Sequence, residues 1–347
     1  MNKKLLALAV AGACVAPAAM AQTANPVTLY GQLRMDLEWV EAKGTNGAPS
    51  RNRLVDHPSL LGVRGKEDLG GGLKAVFQLE TAFDSDDASG TATTTGANAS
   101  GAFNRNSGVG LEGGFGTIML GRWDTPMKQA IGATDLWGDV NKADYTAGTM
   151  DQGNFSRRDA NVVQWWSPNW GGFQIKAQYQ ADEAKGASGN PQDMGASITY
   201  TRGGLYLAYA YEQHDDQSGS TTTSGQKEEG NVFGAKWTTG NFTVSGHYGE
   251  YKKVGGAKDK SYYIGGQYNI GKNELIVTFQ NSEQGAAECD VIGAGWRYRF
   301  SKRTYVQLTW VDIDNNATGN CNMGAGGAVG GTGSDPTGYG IGVFHVF

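Results

Sequence analysis

Val27-Thr28-Leu29-Tyr30-Gly31-Gln32-Leu33-Arg34-Met35-Asp36-Leu37-Glu38-Trp39 is the stretch on which the reading of the fold turns. Its odd positions are Val27, Leu29, Gly31, Leu33, Met35, Leu37 and Trp39, and its even ones include Thr28, Gln32, Arg34, Asp36 and Glu38. A two-residue period places one kind of side chain on each face of an extended strand. The run exceeds the roughly 5–6 residues of a globular strand and fits the roughly 9–11 that cross a bilayer at a tilt. The pattern returns at Leu73–Phe83, where Leu73, Ala75, Phe77, Leu79 and Phe83 oppose Lys74, Gln78 and Glu80. It returns again at Phe173–Ala181, with Phe173, Ile175, Ala177 and Tyr179 against Gln174, Lys176, Gln178 and Gln180.

Connections alternate too. Short glycine-rich ones stand at Leu69–Gly72, Gly113–Gly116, Pro168–Gly172, Arg202–Gly204, Thr238–Gly240, Ile270–Asn273 and Ser301–Arg303, and longer polar ones lie between them. This is the layout of an all-β, antiparallel transmembrane β-barrel with short periplasmic turns and long extracellular loops. The scheme gives about 16 strands, an even number that brings both ends to the periplasmic side. Their expected centres are Leu33, Val63, Phe77, Val109, Leu120, Gln164, Ala177, Ile198, Tyr209, Ala235, Val244, Gly265, Val277, Gly295, Leu308 and Ile341. Phe173, Trp237, Phe242, Tyr268, Phe300 and Phe347 are expected in a lower aromatic girdle, with Trp39, Phe83, Tyr211 and Trp310 toward the upper one. The interval from Asp124 to Asp159 lacks the rhythm, and an interval that long in a compact domain is functional or disordered. A bulge near Arg122 would flip its face.

Lys3-Lys4, the apolar run Leu5–Ala13 and Ala19-Met20-Ala21 read as a cleaved secretory signal over residues 1–21, leaving the barrel over 22–347. Cys14 raises a rival lipoprotein reading, but Ala11-Gly12-Ala13 lacks the usual leucine. Formal charge is −5, and −7 once Lys3 and Lys4 leave with the signal, a poor match to nucleic-acid binding. The 54 glycines could suggest disorder, but 10% aromatic content and regular alternation argue against it. No run of roughly 18 apolar residues follows the signal, which excludes a transmembrane helix and leaves barrel strands open. Cys289 and Cys321 survive processing, in what the scheme reads as neighbouring surface loops. Pairing is the expected state in an exported protein, and the sequence leaves the bridge open.

Other constellations fail on context. Gly108-Val109-Gly110-Leu111-Glu112-Gly113 spells a dinucleotide-type glycine pattern, but no helix follows to hold a phosphate. His57, His214, His247 and His345 are scattered and read as structural, so no metal or cofactor is expected. Asp84, Asp86 and Asp87 read as a solvated acidic loop ahead of a calcium site.

Val27-Thr28-Leu29-Tyr30-Gly31, the run Gly65–Ala75, Gly114-Phe115-Gly116-Thr117 with Leu120-Gly121-Arg122, the run Trp166–Phe173, the run Tyr298–Thr304 and the terminal Phe347 together resemble the general porins of the Gram-negative outer membrane, in the neisserial and comamonad branch. The likeness spans essentially the whole mature chain. It implies a sixteen-stranded barrel, assembling as a homotrimer, that lets small hydrophilic solutes and ions diffuse passively. It also implies a third extracellular loop, about residues 124–159, folded inward to narrow the pore. Phe347 matches the terminal aromatic that the outer-membrane assembly machinery reads in that family. The inward loop carries Asp135, Asp139 and Asp144, with Asp124, Asp151 and Asp159 nearer its ends. Arg105 and Arg158 resemble the family's wall arginines, Arg64 joins them on the second strand, and Arg34, Arg122, Arg297 and Arg299 are further candidates. A diffusion pore selects by width and fixed wall charge and needs no catalytic geometry. Where the family often has Ser-Arg, this chain has Ser59-Leu60, which lowers the anion preference to be expected and leaves its sign open. The alternatives are a barrel enzyme, a lipase or protease whose nucleophile and base would meet at one rim, and an adhesin or receptor working through its loops.

Overall fold

The computed structural model describes residues 27–43, 50–86, 102–138, 155–181, 192–215, 227–253, 258–323 and 329–347. The expected signal at 1–21 and Asp87, Asp139, Asp144 and Asp151 lie outside them. The strands are β1 (Val27–Lys43), β2 (Arg51–Asp56), β3 (Ser59–Gly70), β4 (Leu73–Phe83), β5 (Ser107–Gly113), β6 (Gly116–Asp124), β7 (Arg158–Trp166), β8 (Phe173–Ala181) and β9 (Gln192–Arg202). They continue as β10 (Leu205–Asp215), β11 (Lys227–Thr239), β12 (Phe242–Lys252), β13 (Lys258–Ile270), β14 (Asn273–Gln284), β15 (Ala287–Arg299), β16 (Thr304–Asn315) and β17 (Asp335–Val346). Among the described residues, the helix α1 (Pro126–Gly132) lies between β6 and β7.

Antiparallel pairing closes the sheet: β17 returns to β1 in register from Gln32 opposite Val346 to Lys43 opposite Asp335. The seam is sealed at the end of the chain, where Gly31 and Phe347 exchange backbone hydrogen bonds of 3.1 and 3.0 Å. Closure satisfies every ladder donor and acceptor within the wall, as a chain surrounded by lipid requires. The segments β2 and β3 both pair with β1 and occupy one position in the ring, giving a closed 16-strand barrel. The break between them falls at His57-Pro58, because proline has no N–H to donate to the ladder. Local bonds patch it: the His57 amide donates to the Arg34 carbonyl at 3.0 Å, and the Arg34 amide donates to Ser59 Oγ at 3.1 Å.

Each of the sixteen expected centres falls within a strand. The two faces invert the usual globular order. Leu33, Leu37, Val109, Ile198, Val277 and Ile341 are exposed on the outside, while Asp36, Glu80, Gln164, Asp193, Ser245 and Thr278 are buried on the inside. An apolar exterior and polar interior are the signature of a barrel in a bilayer.

Two departures from the sequence reading have local causes. Cys289 does not lie in a surface loop. It sits in β15, opposite Ser282 on β14 and Asn315 on β16. The connection before it shrinks to a tight turn around Gly285, whose φ of +59° suits glycine, so the strand starts earlier than the polar composition of the region suggests. At Arg122 the register between β6 and β7 shifts around Gly121 and Trp123, with Asn161 at φ +57° on the facing strand. The irregularity turns Trp123 inward onto Trp166, at 5.3 Å between ring centroids, and leaves Arg122 half-buried with its Nε donating to the Asn104 carbonyl.

Candidate pore site

The inner site is built from the chain that leaves β6. Thr125 caps α1, its hydroxyl accepting from the Lys128 amide at 3.2 Å, and Pro126 starts the helix where no amide is needed. A helix this short is not stable alone. It forms because Met127, Ala130 and Ile131 are buried against Ala208, Ala210 and Val232 of the inner wall. Tyr206 Oη on β10 donates to the Ala130 carbonyl at 2.9 Å, and Lys236 Nζ on β11 donates to the Ala133 carbonyl.

Beyond the helix the chain is tied to one strand after another. On β12, Ser245 Oγ donates to the Thr134 carbonyl, and Thr134 Oγ1 and His247 Nδ1 hydrogen-bond at 2.9 Å. On β13, Tyr263 Oη accepts from the Leu136 amide at 3.0 Å. On β14, Thr278 Oγ1 accepts from Trp137 Nε1 at 3.0 Å; on β15, Arg297 Nη2 donates to the Trp137 carbonyl at 3.0 Å. On β1, Arg34 Nη1 donates to the Gly138 carbonyl at 2.8 Å. Residues 126–138 therefore run along the inner wall, with the carbonyls of Ala130, Ala133, Thr134, Trp137 and Gly138 accepting from wall side chains. Phe155 marks the return, fully buried, stacked on His214 at 4.6 Å and tilted against Tyr251 at 5.1 Å.

Arg64, Arg105 and Arg122 stand on the arc formed by β3 to β6, and Arg158 opens β7. Arg105 Nε donates to Glu80 Oε1 at 2.8 Å, and Glu80 also accepts from Tyr30 Oη at 3.0 Å. Arg158 reaches Asp124 Oδ1 at 2.9 Å and Asn106 Oδ1 at 2.8 Å. Arg64 lies over the Tyr30 ring at 4.9 Å from its centroid. Arg297 and Arg299 flank the Tyr305 ring at 4.8 and 5.0 Å and share Glu274, so they brace the wall under Trp137. The Asp135 carboxylate accepts from the Trp137 amide at 2.9 Å, fixing the turn after the helix.

Three lysines escaped the sequence reading. Lys128 lies 3.6 Å from Asp124, Lys176 hydrogen-bonds Gln129, and Lys236 holds the end of α1. The available signal was their place on polar faces, which also fits a solvated wall. Residues 321–323 turn inward where the sequence reads as a surface loop. Met323 is fully buried beside Val40 and Val329, and Cys321 is joined to Cys289 with 6.1 Å between Cα atoms.

A closed barrel with an apolar outside, a polar inside and a strap laid along its inner wall defines a transmembrane diffusion channel. A model of the Gram-negative porin family matches residues 7–318, and the chain belongs to that family. It is similar over the full length of both chains to outer membrane porin protein 32 of Delftia acidovorans, with 30% identity over 376 aligned residues. The major outer membrane protein P.IB of Neisseria gonorrhoeae is 32% identical over 217 residues, 60% of this chain and 56% of that protein. Among solved structures, an anion-selective porin from Comamonas acidovorans superposes with a TM-score of 0.77 at 28% identity, covering 93% of this chain and all of that one. The protein is thus a passive diffusion channel of the Gram-negative outer membrane, not an enzyme.

Proposed function

We propose that the channel prefers small hydrophilic anions, selected where residues 125–138 face the arc of Arg34, Arg64, Arg105, Arg122 and Arg158. The observation that carries this reading is the charge balance of that arc. Arg105 and Arg158 meet carboxylates, whereas Arg64 lies on an aromatic face and Arg122 on a carbonyl. A net positive wall raises the local concentration of anions and repels cations over about a Debye length, ~10 Å at 0.1 M salt. The name of the Comamonas porin agrees with this sign. Asp139 and Asp144, outside the described residues, belong to the same proposed loop and would temper the field.

The test is the zero-current potential of the purified channel in a planar bilayer across a potassium chloride gradient. The expected sign is that of chloride preference, with a shift toward cations in the double variant Arg105→Gln, Arg158→Gln, which removes one positive charge from beside each of Glu80 and Asp124. A cation-selective wild type, or a variant with an unchanged potential, refutes the assignment.

Assembly as a homotrimer, signal cleavage after Ala21 and recognition of Phe347 by the outer-membrane assembly machinery complete the proposal. A trimer form is recorded for OmpT of Vibrio cholerae, which shares this fold at a TM-score of 0.66. Mass measurement by light scattering in detergent would decide the oligomeric state.

A further inference from the structure

Asp36 and Glu38 lie two residues apart on the inner face of β1, and the break at His57-Pro58 swings the His57 ring onto the same spot. His57 Nε2 is 2.9 Å from Glu38 Oε1 and 3.6 Å from Asp36 Oδ2. One donor atom from each of the three lies within 4.8 Å of the others, and all three residues are buried, at 1%, 3% and 3% exposure for Asp36, Glu38 and His57. We propose that Asp36, Glu38 and His57 form a binding site for a borderline divalent cation, zinc being the best match.

The donor set is one imidazole and two carboxylates, which suits zinc with a fourth position left to water. Metal–ligand bonds of about 2.0–2.2 Å in a tetrahedron separate the ligand atoms by about 3.3 Å. The two separations at His57 straddle that value, so small rotations of the carboxylates would complete the geometry. The surroundings resemble a supporting shell. Arg53 Nε holds Glu38 Oε2 at 2.8 Å, which turns Oε1 toward His57. Arg53 is itself anchored on the Met323 carbonyl at 3.3 Å. Metal-ligating carboxylates are held by outer partners in this way. Across the seam, Asp36 faces Gly342 and Glu38 faces Gly340; a Cβ on Gly342 would overlap the Asp36 carboxylate. The proposal is independent of the anion preference argued above.

The experiment uses the folded channel in detergent, stripped with a chelator and titrated with zinc, with cobalt as a spectroscopic substitute. One ion per chain is expected, seen in wild-type crystals as an anomalous zinc peak among the three residues. His57→Gln and Asp36→Asn should each abolish saturable binding. Arg53→Gln should weaken it roughly 10–100-fold, the usual effect of losing an outer partner. His345→Gln, on the outer face of β17 with its ring hydrogen-bonded to Thr304, should leave it unchanged. Heat-dependent gel migration checks that each variant is folded, and if one is not, the wild-type anomalous map decides alone. No saturable binding, binding indifferent to His57→Gln, or a peak elsewhere overturns the proposal and leaves the cluster as an ion pair between His57 and its carboxylates.

Discussion

Truncation of Trp137 to alanine should release the strap from the far wall while the barrel stays intact. Trp137 is 1% exposed, and its indole occupies space that Gly295 leaves open: a Cβ there would come within 2.7 Å of Trp137 Cη2. Trp137→Ala removes that packing and the Nε1 bond to Thr278, but keeps the backbone bond to Arg297. Buried Trp→Ala changes cost about 3–5 kcal/mol, and the retained bond argues for the lower end. At about 1.4 kcal/mol per tenfold, ~3 kcal/mol raises the detached population roughly a hundredfold. The loss falls on the strap alone, because the wall is held by its own ladder. Single-channel recording should show frequent steps to a wider level that are rare in wild type. Limited proteolysis of the folded channel should cut the variant between 133 and 138 much faster, with unchanged thermal dissociation of the barrel. An unchanged current trace together with unchanged protease resistance would refute the view that this anchor holds the strap.

Two further substitutions probe other parts of the same design. Cys289→Ser opens a bridge between residues 32 positions apart; the loop-entropy relation gives about 3–4 kcal/mol for a closure of that size. The expected result is faster proteolysis near Met323, and resistance equal to wild type would mean that packing alone holds the segment. Leu60→Arg puts a cation on the inner face that Leu60 shares with Arg64, next to outward-facing Leu61. It should move the zero-current potential further toward anion preference, and no movement would place Leu60 away from the narrow section.

The barrel was legible because its information is local. Alternation along Val27–Trp39 needs only neighbours, and the same rhythm located all sixteen strand centres. Glycine-rich turns added the direction of each reversal. Cys289 shows where this fails: composition near Gln284-Gly285-Ala286 reads as a polar loop, but register with β14 carries the strand through it. Arg122 shows the same for a face, since its orientation depends on a shift shared with Asn161 on another strand.

The strap was legible as an interval and not as a path, for a physical reason. Beyond the helix its wall partners are more than a hundred residues away: 104 for Arg34 with Gly138, 127 for Tyr263 with Leu136, 141 for Thr278 with Trp137 and 160 for Arg297 with Trp137. Each partner, taken alone, is an ordinary polar residue on an inner face, indistinguishable by pattern from one that meets only water. Charge carries the same ambiguity. Lys236 looks like a solvated wall residue until it is found holding α1. In a barrel the ladder fixes the wall whatever the inward side chains are, so those side chains are free to serve the pore. That same freedom removes the packing constraints from which a sequence pattern would reveal which of them do.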